Sequence, residues 1–146
     1  MGVVTRPITP DDEAAWRILW RNYLEHYGTN VTPELTDTLF ENLCIGAPHF
    51  AFIAQQEGAV IGFVHGLPHP STWSLEGYCY LEDLYVAPKA RGTGAGRALI
   101  EAVYAEADRR GLSRVYWHTE TSNNTARRLY DKVATLSEFI QYRRKD

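Results

Sequence analysis

The stretch Tyr85-Val86-Ala87-Pro88-Lys89-Ala90-Arg91-Gly92-Thr93-Gly94-Ala95-Gly96-Arg97 decides how this chain is read. It runs from an apolar strand through a glycine-rich turn into the start of a helix. Backbone N–H groups in such a turn point into one concavity and, with the helix dipole, hold a phosphate. Glycines let the main chain approach the oxygens with no Cβ in the way. The residues at the end of the turn exclude two familiar phosphate loops. A nucleotide P-loop needs Gly-Lys-Ser/Thr, whereas this turn continues Gly96-Arg97-Ala98. A dinucleotide fingerprint needs a third glycine where Arg97 stands.

Outward from the turn, the segment from Gly77 to Val86 reads as the preceding strand. Arg97 to Arg110 reads as an amphipathic helix with Leu99, Ile100, Val103 and Ala107 inward and Gly111 as its stop. Further upstream, Val3 to Ile8 is a short strand, and Thr9-Pro10-Asp11-Asp12 has the composition of a helix start. The helix carries Ala15, Trp16, Leu19, Trp20, Tyr23 and Tyr27 at three- and four-residue steps and ends at Gly28. A further helix begins near Thr32-Pro33-Glu34 with Leu35, Leu39 and Leu43 on one side. His49 to Gln55 and Ala59 to Leu67 form a hairpin about Glu57-Gly58, followed by a loop over His69 to Ser74. Downstream, Arg114 to Thr119 reads as a strand, Asn124 to Lys132 as a short helix and Leu136 to Arg143 as a final strand. The expectation is one α/β domain over 1–146, a single mixed sheet with helices on both faces.

The composition agrees. The chain has 146 residues, 45% hydrophobic and 23% charged, which is globular rather than disordered. No apolar run approaches the roughly 20 residues of a membrane helix. The N-terminus lacks the apolar core of a signal peptide, so the expected location is the cytoplasm. Two cysteines, Cys44 and Cys79, do not make a disulfide framework. Charge is lopsided: 11 acidic against 3 basic residues through Pro88, then 7 against 12, so the halves carry −8 and +5. An acidic half suits a cationic partner, and the opposed halves suit nucleic acid poorly.

Arg91-Gly92-Thr93-Gly94-Ala95-Gly96 matches the R/Q-x-x-G-x-G/A signature of the GNAT (Gcn5-related) N-acetyltransferases. Asn123-Asn124-Thr125-Ala126-Arg127-Arg128-Leu129-Tyr130 resembles that family's N-x-x-A-x-x-L/F-Y segment. The two motifs stand in the family's order. One departure is Ala134-Thr135, where many members carry a Gly-Phe pair. Tyr80-Leu81-Glu82-Asp83-Leu84-Tyr85-Val86 resembles the Y-L-E-D-F/L-x-V strand of the diamine (spermidine/spermine) and Hpa2-like acetyltransferases. The resemblance implies the GNAT fold, a mostly antiparallel twisted sheet. It implies acetyl-CoA as donor and direct attack of a primary amine on its thioester. It also implies, by analogy, a homodimer.

It further implies roles for individual residues. Arg91, Gly92, Thr93, Gly94, Ala95, Gly96 and Arg97 would hold the pyrophosphate. Leu84 and Val86 would offer backbone groups to pantetheine, and the Leu84–Tyr85 region would polarise the thioester carbonyl. Asn123 would bind the pantetheine arm, and it is equally a helix cap. Tyr130 would protonate the departing thiolate; its other reading is a core aromatic. Glu82 is the candidate base, acting through a water, and Asp83 the candidate holder of a cationic acceptor. A salt bridge to an arginine is the alternative for both. Tyr27 stands, with Tyr23, where the family's acceptor loop begins, while Trp16 and Trp20 read as core. His65 and His69 lack a third ligand for a metal, and His65 or His118 is either a cleft residue or a satisfied strand histidine. No cysteine lies in either motif, which favours a ternary complex over an acetyl-enzyme. The expected acceptor is a small cationic amine such as a polyamine, diamine or basic amino acid. The alternatives are a protein lysine or N-terminus, or a non-catalytic acetyl-CoA-binding module.

Overall fold

A computed structural model describes residues 2–146. Its strands are β1 (Val4–Pro7), β2 (Phe50–Gln56), β3 (Ala59–Ser71), β4 (Ser74–Val86) and β5 (Val115–Tyr116). Its helices are α1 (Glu13–His26), α2 (Pro33–Ile45), α3 (Ala95–Arg110) and α4 (Asn124–Val133). The strands form one sheet in the order β1-β2-β3-β4-β5. Every pair is antiparallel except β4 with β5, which run parallel. This is the mixed, mostly antiparallel α/β sheet expected, with helices on both faces.

Two apolar layers sandwich the sheet. On one face α1 and α2 bury Trp16, Leu19, Trp20, Phe40 and Leu43 against Ile53, Phe63 and Tyr85. On the other, α3 buries Leu99, Ile100, Val103 and Ala107 against Phe50, Val64, Cys79 and Leu81. The inward face of α3 is the one its 3.6-residue periodicity predicts. In α2 the buried residues are Phe40 and Leu43, and Leu35 points outward.

Three expectations need correction. The loop over His69 to Ser74 is instead the end of β3, a two-residue turn at Thr72 and Trp73, and the start of β4. Pro68 and Pro70 are tolerated because β2 begins at Phe50, opposite Gly66. Beyond that point β3 has no neighbour on its β2 side, so a missing N–H breaks no ladder bond. The strand Arg114–Thr119 shrinks to Val115–Tyr116. The final strand Leu136–Arg143 is not formed, and that segment has no regular structure.

The feature that shapes the site is a β-bulge. His65 faces Asp83 and Gly66 faces Leu81, so Glu82 is an extra residue in β4. Side chains alternate faces along a strand, and one extra residue inverts that alternation. Cys79 and Leu81 therefore lie on the α3 face, followed by Leu84 and Val86, while Tyr85 moves to the α1 face.

Candidate active site

β4 and β5 pair only at Cys79 with Val115 and at Tyr80 with Tyr116. Beyond these pairs β4 runs on through Val86 with β3 on one side and no strand on its β5 side, which opens a cleft at that edge. Leu84 and Val86, with Trp117, Leu129 and Tyr130, are partly buried against the α3-side core.

The glycine turn closes one end of the cleft. Gly92 and Gly94 adopt φ of 84° and 88°, the left-handed region that glycine enters without strain. A Cβ added at either would meet nothing within 4 Å, so the surface beside them is open. Gly94 is the N-cap of α3 and offers no side-chain cap, and Ala98 N–H makes the first helical bond, to Gly94 at 3.0 Å. The N–H groups of Ala95, Gly96 and Arg97 precede that bond and lack helical acceptors. Thr93 Oγ1 donates to Ala90 O at 2.7 Å and Arg91 Nε to Val86 O at 3.2 Å, which fastens the turn to the strand end. Gly96 has a separate duty, since a Cβ there would sit 3.2 Å from the Leu129 side chain of α4, closer than such contacts normally run. The Arg97 side chain pairs with Glu101 on the helix surface.

Asn123 caps α4, accepting from Ala126 N–H at 3.4 Å. Tyr130 projects from α4 with its ring 5.4 Å from that of Trp117. Its hydroxyl makes no hydrogen bond to another described residue. Burial first, and neighbouring Tyr27 second, push this hydroxyl above its ordinary pKa, so it holds its proton across the neutral range. At the end of α1, partial burial first, then Glu120 and Asp83, push the Tyr27 hydroxyl above its ordinary pKa. Tyr27 packs edge-on against Tyr23, at 5.1 Å between ring centroids, and Tyr23 in turn bonds Asp83.

Glu82 is exposed at the bulge, and partial desolvation together with Asp83 raises its carboxyl above the usual range. Among the described residues neither Glu82 nor Asp83 pairs with an arginine. Asp83 accepts instead from the Tyr23 hydroxyl at 2.8 Å and from His65 Nδ1 at 2.9 Å. His65 is thereby a satisfied strand histidine, while His69 Nε2 lies 2.7 Å from the Tyr116 hydroxyl and His118 Nδ1 3.2 Å from that of Tyr80. Tyr85 is buried among Phe63 and Tyr23, so only its backbone can reach the cleft. Sequence reasoning missed the link from Asp83 to Tyr23, His65 and Trp16, because residues 60 and 18 positions away supply its direct partners.

A sequence profile of the acetyltransferase (GNAT) family matches residues 13–134. The chain belongs to the GNAT acetyltransferases. It is similar to the D-amino-acid N-acetyltransferase HPA3 of Saccharomyces cerevisiae, at 39% identity over 97% of this chain and 90% of that protein. It is also similar to the uncharacterized N-acetyltransferase YhfO of Bacillus subtilis, at 30% identity over 87% and 85% of the two chains. The fold matches AAC(6')-Iy in complex with a CoA bisubstrate analogue, with a TM-score of 0.85 at 19% identity over 100% and 99% of the two chains. A ribosomal-protein-alanine N-acetyltransferase from Brucella melitensis shares it, at TM-score 0.82 and 21% identity over 99% and 100%.

As a GNAT enzyme the protein is an N-acetyltransferase, and its acetyl donor is acetyl-CoA. The chain's own residues fit that donor. An uncapped helix N-terminus, two glycines in the left-handed region facing open space, and no acidic residue in the first turn of α3 suit a pyrophosphate. No helix among the described residues is long and apolar enough to cross a membrane.

Proposed function

We propose that this GNAT enzyme acetylates the primary amine of a small cationic acceptor, a polyamine, diamine or basic amino acid, by direct attack in a ternary complex. The observation that carries the reading is the adjacent pair Glu82 and Asp83, two carboxylates with no arginine partner among the described residues, at the bulge of β4 beside the cleft. A carboxylate pair attracts an ammonium group and disfavours a neutral or anionic one. The name of the yeast relative specifies an amino acid, itself a small amine, which supports a small acceptor over a protein one.

Acetyl-CoA supplies an electrophilic thioester. Arg91 to Arg97 hold its pyrophosphate through backbone N–H groups, and Asn123 and the backbone of Leu84 and Val86 line the pantetheine path. The Leu84–Tyr85 backbone polarises the thioester carbonyl. Asp83 binds the acceptor ammonium, and Tyr27 forms the outer wall. Glu82 accepts the amine proton through a water as attack proceeds, and its raised pKa makes it a better base than a free carboxylate. Tyr130, still protonated at neutral pH, gives its proton to the thiolate. We further propose that residues 1–146 act as one catalytic unit in the cytoplasm and that the enzyme is a homodimer. The exposed apolar side chains of the segment after α4, among them Phe139 and Tyr142, support the dimer.

The test is a panel of polyamines, diamines and basic amino acids against histone-tail peptides, scored by CoA release. The cationic small molecules give the higher kcat/KM. Glu82→Gln lowers that value and flattens the rise of rate with pH, while acetyl-CoA affinity stays near wild type. A clear preference for peptides overturns the assignment of the acceptor.

A further inference from the structure

Trp16, His65, Asp83 and Tyr23 form one hydrogen-bonded chain that runs from the buried α1 layer to the cleft. Trp16 Nε1 lies 3.1 Å from His65 Nε2, and His65 Nδ1 lies 2.9 Å from Asp83 Oδ2. Tyr23 donates its hydroxyl to the other oxygen, Oδ1, at 2.8 Å. The protons in this chain have one consistent arrangement. An indole nitrogen only donates, so His65 Nε2 must be the bare acceptor and Nδ1 must carry the ring proton. That proton goes to Asp83, and the tyrosine gives a second, so Asp83 receives both as a carboxylate.

A buried imidazole is costly unless both nitrogens are satisfied, and a phenyl ring would fill the same space with no such demand. His65 is 1% exposed and stacks on Phe63 at 4.6 Å between centroids. What the histidine adds is one directed N–H. Asp83 is its direct cross-strand neighbour, held on one oxygen from β3 and on the other from α1. Its side chain keeps 15% exposure, and a carboxylate has about four acceptor positions, so lone pairs remain for a ligand on the open side.

We propose that Trp16, His65 and Tyr23 are positioning residues that lock Asp83 as an ionised carboxylate in one orientation toward the acceptor amine. The proposal rests on the reading of Asp83 as the ammonium-holding group. Acceptor affinity is then set from the layer beneath α1, on the face of the sheet opposite α3. A free carboxylate at a bulge turns about its χ angles, whereas a carboxylate held at both oxygens is pre-organised for binding.

Four single variants of the intact chain and one double variant test this with the best amine of the panel as acceptor. Asp83→Asn should raise the acceptor KM about tenfold or more, with acetyl-CoA Kd unchanged. His65→Leu removes the directed N–H and should raise the same KM by a similar factor. His65→Asn places a side-chain N–H near the position of Nδ1 and should recover most of the loss. Tyr23→Phe deletes one hydroxyl and gives the same direction of change, which keeps the test open if His65→Leu does not fold. Combining Tyr23→Phe with Asp83→Asn should cost little beyond Asp83→Asn alone, because both act through one carboxylate. In 15N spectra of the wild type, His65 should show a protonated Nδ1 and a bare Nε2. If Asp83→Asn leaves the acceptor KM unchanged, the ammonium-holding reading fails. If Asp83→Asn raises KM while Tyr23→Phe and the His65 variants do not, the positioning proposal alone is overturned. A protonated Nε2 on His65 overturns it as well.

Discussion

Single side chains divide here into those that carry chemistry in their identity and those that acquire it from neighbours. Tyr130 is of the first kind: a motif names it, and burial keeps its proton in place. Tyr130→Phe keeps the ring against Trp117 and removes only the hydroxyl. Turnover should fall by roughly 10²–10⁴, the range of a lost general acid, with acetyl-CoA Kd unchanged by calorimetry. An unchanged rate constant where chemistry is limiting would make the tyrosine structural. Asp83 is of the second kind. The sequence places it beside Glu82, and its charge suggests an arginine as partner. Its actual partners are a histidine that the β3–β4 register sets opposite it and a tyrosine that the packing of α1 on the sheet brings near, and no spacing rule encodes that meeting. Asp12 shows the same contrast in a stability role. Buried at the β1–α1 junction, it accepts from both Nη atoms of Arg6 at 2.8 Å each, and the guanidinium holds its carboxyl below the usual value. A depressed folded-state pKa gives stability that is fully present above the unfolded value, near 4, and lost as pH falls through the folded one. Asp12→Asn should therefore cost roughly 1.5–3 kcal/mol at pH 7. The difference from wild type should shrink in urea melts as the pH drops below about 4. A gap that is constant across this range would mean that shape, not charge, holds the junction.

Among the elements, the helices are the most legible in the sequence and the strands near the cleft the least. The periodicity of α3 fixes its buried face without outside help, because an apolar stripe has one way to face a core. The end of β3 and the start of β4 carry Pro, Ser and Gly, a content that suggests a loop. That content is compatible with a strand wherever one side has no neighbour, and topology supplies that condition. The turn between β4 and α3 is legible because its requirements are local. At Gly94, φ of 88° and an uncapped helix start leave no role for a side chain. Gly94→Asp adds a carboxylate where an anion should bind, in a conformation that aspartate enters more readily than most residues. Acetyl-CoA affinity should drop by at least tenfold in calorimetry while the circular dichroism spectrum stays native; each tenfold corresponds to about 1.4 kcal/mol. Gly94→Asn, uncharged with nearly the same shape, should lose much less. Equal losses in the two variants would assign the effect to the backbone and remove the charge argument.

Across the whole molecule, the unformed last strand and the shortened β5 are two sides of one fact. Leu136 to Arg143 has the composition of a strand, yet it pairs with nothing in its own sheet. Its large side chains stand in solvent: Leu136 is 72% exposed, Phe139 91%, Ile140 79% and Tyr142 90%. β5, meanwhile, pairs with β4 on one side and ends the sheet, so its other edge is open. A run of exposed apolar side chains and an open strand edge are each liabilities in water, and a contact that covers both relieves both. Within one chain they are not joined. In the homodimer proposed above, a second copy would supply both missing halves with two-fold symmetry, each tail meeting the other's sheet. The strand composition of this segment misled the sequence reading because composition does not supply a pairing partner. Sedimentation equilibrium of the full chain at micromolar concentration should therefore give twice the mass of one chain. Deleting 136–146 should give a monomer whose helical content is retained, since α4 ends at Val133. Phe139→Asp with Ile140→Asp should weaken the dimer in the same direction without shortening the chain, because charges replace two of the most exposed apolar groups. A full-length protein that sediments as a monomer, or a truncated one that remains a dimer, would show that the tail does not form the interface.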